Sequence, residues 1–236
     1  MSRRFLLLST SRTTGTGYLE HAAEHIDWLT ESQKKRVIFI PYAAVRFSYD
    51  DYESMVAGGM QEYGHEVVSI HRYDDPVSAL EDADVIAVGG GNTFKLVHDL
   101  QHFGLMEVIR KKALEGIPYV GWSAGANVAS PKLSTTNDMP IIEPGSFNTL
   151  GLISTQINPH YLDAHPDGHM GETREERISE FNVLNPDVPV IGLREGSMLK
   201  VDGSKMWLDG KIGARLFHGD SKPREFDPGS DVSFLL

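Results

Sequence analysis

The segment Gly121-Trp122-Ser123-Ala124-Gly125 has the pattern Gly-x-Ser-x-Gly. It directly follows an apolar run, Pro118–Trp122, and precedes the small residues Ala124, Ala126, Val128 and Ala129. A strand that turns sharply into a helix needs small residues on both sides of the turn, and it projects the central hydroxyl at the helix N-terminus. Free N–H groups and the helix dipole favour a developing oxyanion there. Ser123 is thus a candidate nucleophile for acyl transfer; the alternative is a serine that merely caps a helix. A second turn, Gly89-Gly90-Gly91-Asn92, ends another apolar run, Asp84–Val88. It lacks the third glycine of a dinucleotide fingerprint, position 94 being Phe94, and no Gly-Lys-Ser/Thr follows. Beside a nucleophile turn its better use is to donate N–H groups, which makes Gly91 and Ala124 the candidate oxyanion donors.

A serine nucleophile needs a base. Of the histidines, His21, His25, His98 and His102 fall in helical stretches and read as surface positions. His160 follows the β-like run Gln156-Ile157-Asn158, is stiffened by Pro159, and comes after the serine in the chain, as it does in nucleophile-elbow hydrolases. His165 and His169 compete with it. The cluster His160, Asp163, His165, Asp167, His169 also admits a metal reading, but it has no helical ligand pair and is broken by Pro166 and Gly168, so no metal and no cofactor are expected. The carboxylate that orients the base is either Asp138, in Thr135-Thr136-Asn137-Asp138, or Glu195, at a strand end in Arg194-Glu195-Gly196; the residues alone leave both open.

The elements that must position these groups alternate along the first two-thirds of the chain. Strands are expected at Phe5–Ser9, Arg36–Pro41, His65–His71, Asp84–Val88 and Pro118–Trp122. Helices are expected near Tyr18–Ser32, Tyr49–Tyr63, Pro76–Glu81, Thr93–His102 and Leu105–Leu114. All-apolar strands alternating with helices predict an α/β fold, a mostly parallel sheet covered on both faces as an α/β/α sandwich. Both glycine turns lie at strand carboxyl ends, where such sheets bind ligands. After a helix near Thr173–Phe181, short runs at Val188–Leu193, Ser197–Val201, Lys205–Trp207 and Ala214–Phe217, with turn signals Asp202-Gly203 and Asp209-Gly210, predict antiparallel additions to the sheet edge. With no Pro/Ser-rich linker, residues 1–236 are expected to form a single domain.

Composition narrows the function class. The chain has no cysteine, which excludes disulfides, thiolate metal sites and thiol nucleophiles and fits a reducing cytoplasm. A formal net charge of −11 argues against a nucleic-acid partner and requires any anionic substrate to be attracted locally. No stretch approaches the roughly 20 apolar residues that span a bilayer, so no membrane partner is expected. The start, Met1-Ser2-Arg3-Arg4 before a short apolar run, reads as a first strand and not as a signal peptide.

Taken together, GGGNTF, GWSAGAN, TTNDMP, INPH, the GETREER run from Gly171 and VIGLREG resemble the peptidase E group of α-aspartyl dipeptidases, family S51 of the serine peptidases, in order from about residue 85 to 196. The resemblance implies a fold like that of class I glutamine amidotransferases and a Ser-His-Glu triad of Ser123, His160 and Glu195. It implies that Arg174 binds an aspartyl side chain, and that Asn92 and Asp138 lie on the substrate side. The implied substrate is a small peptide, a dipeptide with N-terminal Asp. Two rivals stand beside it: a cyanophycinase-like hydrolase of β-aspartyl peptides, and a non-catalytic binding module on the same fold.

Overall fold

The computed structural model describes residues 2–164, 168 and 170–236. Its elements in chain order begin with β1 (Arg4–Leu8), α1 (Ala23–Leu29), β2 (Arg36–Ile40), α2 (Tyr49–Met60), β3 (Glu66–Ser69), α3 (Pro76–Ala79) and β4 (Val85–Val88). There follow α4 (Thr93–His102), α5 (Leu105–Leu114), β5 (Tyr119–Trp122), α6 (Ala124–Asn127), β6 (Gln156–Asn158) and α7 (Arg174–Leu184). The last third holds β7 (Val190–Leu193), β8 (Ser197–Asp202), β9 (Lys205–Gly210), β10 (Ala214–Phe217) and β11 (Arg224–Phe226).

The main sheet has the order β3-β2-β4-β5-β1-β8-β9. Its first five strands are parallel, and β8 and β9 extend it antiparallel beyond β1. Period-two alternation divides these strands between two cores. Phe5, Leu7, Ile38, Ile40, Ile86 and Val88 face one side, with Leu96, Leu100 and Ile109 of α4 and α5. Leu6, Leu8, Phe39, Ala87, Val120 and Trp122 face the other, with Ile26, Leu29, Val56 and Met60 of α1 and α2. The α/β/α layering follows directly, because strands buried on both faces need helices on both.

Two features depart from the sequence reading. First, the run Val188–Leu193 and the run Ala214–Phe217 do not extend the main sheet. They form β7 and β10 of a second, four-stranded sheet, ordered β11-β10-β7-β6, in which β6 and β7 are parallel. Ile191 and Leu193 face the main core while Val190 packs with Tyr161, Ile178 and Phe217. A strand buried on both sides is apolar throughout, and nothing in its pattern names the sheet it joins. Second, the helix expected from Tyr18 begins only at Ala23, after one turn at 20–22. Leu19 adopts φ 59° and donates its N–H to the carbonyl of Ser11 at 2.8 Å, so residues 11–19 fold back as a loop. Among the described residues, no helix is long and apolar enough to cross a membrane.

Phe39 links the core to the turn after β5. Its ring stacks on Trp122 at 5.9 Å and meets Tyr52 edge-on at 4.8 Å. We predict that Phe39→Ala lowers the unfolding free energy by about 3–5 kcal/mol in urea titrations, and that Phe47→Ala, at an exposed ring, costs under about 1 kcal/mol.

Candidate active site

Ser123 sits between β5 and α6 with φ 52° and ψ −111°, a conformation a side chain rarely adopts. The turn is held from both sides. Ser123 N–H donates to the carbonyl of Leu8 at 3.0 Å, and the Tyr119 hydroxyl donates to the carbonyl of Gly125 at 2.6 Å. Only glycine fits at 125, where a Cβ would lie 2.1 Å from the carbonyl oxygen of Val88. The neighbouring turn after β4 is equally constrained. Gly91 has φ 139°, and a Cβ there would lie 2.2 Å from the carbonyl oxygen of Ala43.

The Ser123 hydroxyl is 3.0 Å from Nε2 of His160, and Nδ1 of the same ring is 2.8 Å from Oε1 of Glu195. Each member comes from a different strand end: Ser123 from β5, His160 from just beyond β6, and Glu195 from the β7–β8 turn. His160 also has positive φ, 53°. Its backbone N–H donates to Oγ of Ser9 at 2.9 Å, and that fully buried hydroxyl donates to the carbonyl of Leu193 at 2.7 Å. A second set of bonds fixes the approach to His160. The side-chain amides of Asn127 and Asn137 donate to the carbonyls of Ile157 and Pro159, at 2.6 and 2.7 Å. Beyond His160, Arg194 clasps Asp163 through Nε and Nη2 at 2.7 and 2.5 Å and reaches Glu225 at 2.9 Å.

Asp138 is not in contact with the imidazole. Its Oδ2 accepts from the N–H and hydroxyl of Thr93, at 2.7 and 2.5 Å, and from the hydroxyl of Thr136 at 3.0 Å. It ties the 135–139 loop to the start of α4. Asn92 caps that helix, accepting from Lys95 N–H at 3.0 Å and donating to the carbonyl of Met139 at 2.9 Å. Arg174 opens α7. Its Nε is buried with no hydrogen-bond partner among the described residues. Burial pulls its guanidinium below the ordinary value, Arg177 adds to that, and Asp138 opposes it. Of the histidine-rich cluster, His160 and Asp163 are engaged as above; His165, Asp167 and His169 lie outside the described residues.

The sequence reading did not single out Ser9, Tyr52, Asn127 or Arg194. Tyr52 accepts from Nε1 of Trp122 at 3.1 Å and from the hydroxyl of Tyr18 at 3.3 Å, and donates to the carbonyl of Gly90 at 3.0 Å. Only Asn127 carried a signal, as the buried amide that ends the GWSAGAN block. Ser123, His160 and Asp138 line one cavity of about 530 Å³ together with Tyr18, Phe47 and Met55, and Arg174 is not among the residues that line it.

The Arg194 clasp makes a pH prediction. Hydrogen bonds from Arg194 hold the Asp163 carboxyl below the ordinary range near 4. The stability this contributes is present above about pH 4 and is lost as the pH falls through the depressed value. In thermal melts, the Tm difference between wild type and Arg194→Met should therefore shrink from pH 6 to pH 3.

The model of peptidase family S51 matches residues 5–208. Peptidase E of Shewanella sp. (strain W3-18-1) is 48% identical over 236 residues, covering 100% of both chains. Peptidase E of Streptomyces coelicolor is 50% identical over 232 residues, covering 98% of this chain and 94% of its own. The crystal structure of a peptidase from an acI-B1 Actinobacterium superposes with a TM-score of 0.73 at 21% identity, over 99% of this chain and 98% of that one, a likeness of fold. The extent and identity of these matches show that the chain belongs to peptidase family S51.

Proposed function

We propose that the chain is a serine dipeptidase that hydrolyses dipeptides with an N-terminal L-aspartate, with residues 1–236 working as one peptidase domain in the cytoplasm. The observation that carries the reading is the unbroken hydrogen-bonded chain from Ser123 through His160 to Glu195, at 3.0 and 2.8 Å. His160 Nε2 takes the Ser123 proton as Oγ forms a bond to the scissile carbonyl carbon. The resulting oxyanion accepts from the N–H groups of Gly91 and Ala124. The tetrahedral species then collapses, the C–N bond breaks, and His160 gives its proton to the leaving amine. Water, deprotonated by His160, releases the acyl group, and Ser123 recovers its proton. Glu195 keeps Nδ1 protonated and steadies the imidazolium.

The substrate assignment has separate support. An aspartyl side chain brings a carboxylate into a chain of net charge −11, and a half-buried arginine, Arg174, with an unused Nε–H is a partner for it. Asp138, whose bonds to Thr93 and Thr136 all use Oδ2, has Oδ1 for the substrate ammonium, with Asn92 bracing the same loop.

Kinetics on Asp-Leu, Glu-Leu, Ala-Leu and β-Asp-Leu tests the class and the specificity together. Asp-Leu should lead, and Ser123→Ala should lower its kcat by about 10⁴-fold or more; preference for the β-linked substrate, or indifference to the acidic residue, overturns the assignment. Glu195→Ala should lower kcat on the order of 10²-fold or more, with Asp138→Ala acting mainly on KM. A larger kcat loss for Asp138→Ala would reverse the two roles.

A further inference from the structure

Arg12, and not Arg174, is the arginine that lines the cavity beside Ser123. Arg12 lies in the loop that folds back from the end of β1. The loop is built, not slack. Thr10 Oγ accepts from the N–H of Arg12 at 3.3 Å and donates to its carbonyl at 2.9 Å; Thr13 N–H donates to the Thr16 hydroxyl at 3.0 Å; Ser11 and Leu19 close the base. The guanidinium lies 5.2 Å from the centre of the Tyr18 ring, with Nη2 3.7 Å from the sulfur of Met55. A π face and a thioether are weak partners. Among the described residues no carboxylate pairs with Arg12, although acidic side chains outnumber basic ones 33 to 22. An exposed arginine held over an aromatic ring at the mouth of a cavity, with its donors uncommitted, is pre-organised for an anion.

Given the peptidase reading above, on which this step rests, the substrate supplies that anion. A dipeptide has two carboxylates. The aspartyl one belongs with Arg174, and the other is the C-terminal carboxylate of the leaving residue. That residue departs from His160, and Ser9, which fixes the His160 backbone, is three residues before Arg12. Tyr18, Phe47, Met55 and Trp122 line the same cavity and offer an apolar surface to the leaving residue's side chain. We propose that Arg12 is a specificity-determining residue that binds the C-terminal carboxylate of the substrate. It favours dipeptides over longer or amidated peptides, while the aromatic wall accepts varied apolar second residues.

The test compares Asp-Leu with Asp-Leu amide, which differ only in the charge Arg12 would meet. The ratio of kcat/KM for the free acid over the amide should fall about tenfold in Arg12→Gln, as expected for loss of a charge-assisted hydrogen bond. Arg12→Lys should recover part of it. An unchanged ratio in Arg12→Gln, with either substrate cleaved by wild type, overturns this inference and leaves the peptidase reading standing. If wild-type protein cleaves neither substrate, the peptidase reading itself fails, and this inference with it.

Discussion

The hydroxyl of Ser9 is the point at which the two sheets are joined next to the reactive groups. It donates to the carbonyl that ends β7 and accepts from the backbone N–H of His160. One residue earlier, the carbonyl of Leu8 receives the N–H of Ser123. The end of β1 therefore fixes, within two residues, the positions of the hydroxyl-bearing turn, the imidazole and the strand leading to Glu195. A hydrogen bond between buried neutral groups contributes only about 1 kcal/mol net. Its structural leverage is much larger, because a shift of one sheet against the other would break the 3.0 Å contact between Ser123 and His160.

Two non-glycine residues with positive φ, Ser123 and His160, stand on either side of that contact. Each such conformation costs on the order of 1–3 kcal/mol and persists only where its surroundings over-determine it. The surroundings here do so. Asn127 and Asn137 restrain the carbonyls before His160, Arg194 clasps the loop after it, and Tyr119 braces the turn at Ser123. The fold thus restrains the strained pair with polar groups from β5, α6, the 135–139 loop and the β7–β8 turn.

Much of this could be read from the sequence, for identifiable reasons. The strands β1, β2, β4 and β5 are short apolar runs between turn signals, and α4 and α5 have caps and periodicity that fix their ends. The glycine pattern at 121–125 marked the strand-to-helix turn at Ser123 because close backbone approach admits no side chain. The assignment of β7 to a second sheet was not legible, because a doubly buried strand has no polar face to orient it, and β10 alternates Arg215 with apolar residues without naming its neighbour. Neither was the choice between Glu195 and Asp138, since both are carboxylates in polar turns. Only their three-dimensional neighbours, an imidazole for one and two threonines for the other, distinguish them. Ser9 was invisible for the same reason: a serine at a strand end is ordinary until its partners are known.

The row of aromatic hydroxyl and indole donors beneath the Gly89–Gly91 turn has an electronic consequence. Trp122 and Tyr18 both donate to the Tyr52 oxygen, so its single proton is directed to the carbonyl of Gly90. That carbonyl and the N–H of Gly91 belong to one peptide unit. Withdrawing electron density at its oxygen makes its N–H a stronger donor, as chains of hydrogen bonds polarise one another. Burial pushes the Tyr52 phenol well above its ordinary value, which keeps the proton on its oxygen. The indole next to Ser123 therefore does more than fill space, because through two hydrogen bonds and a peptide group it biases the charge at the N–H of Gly91.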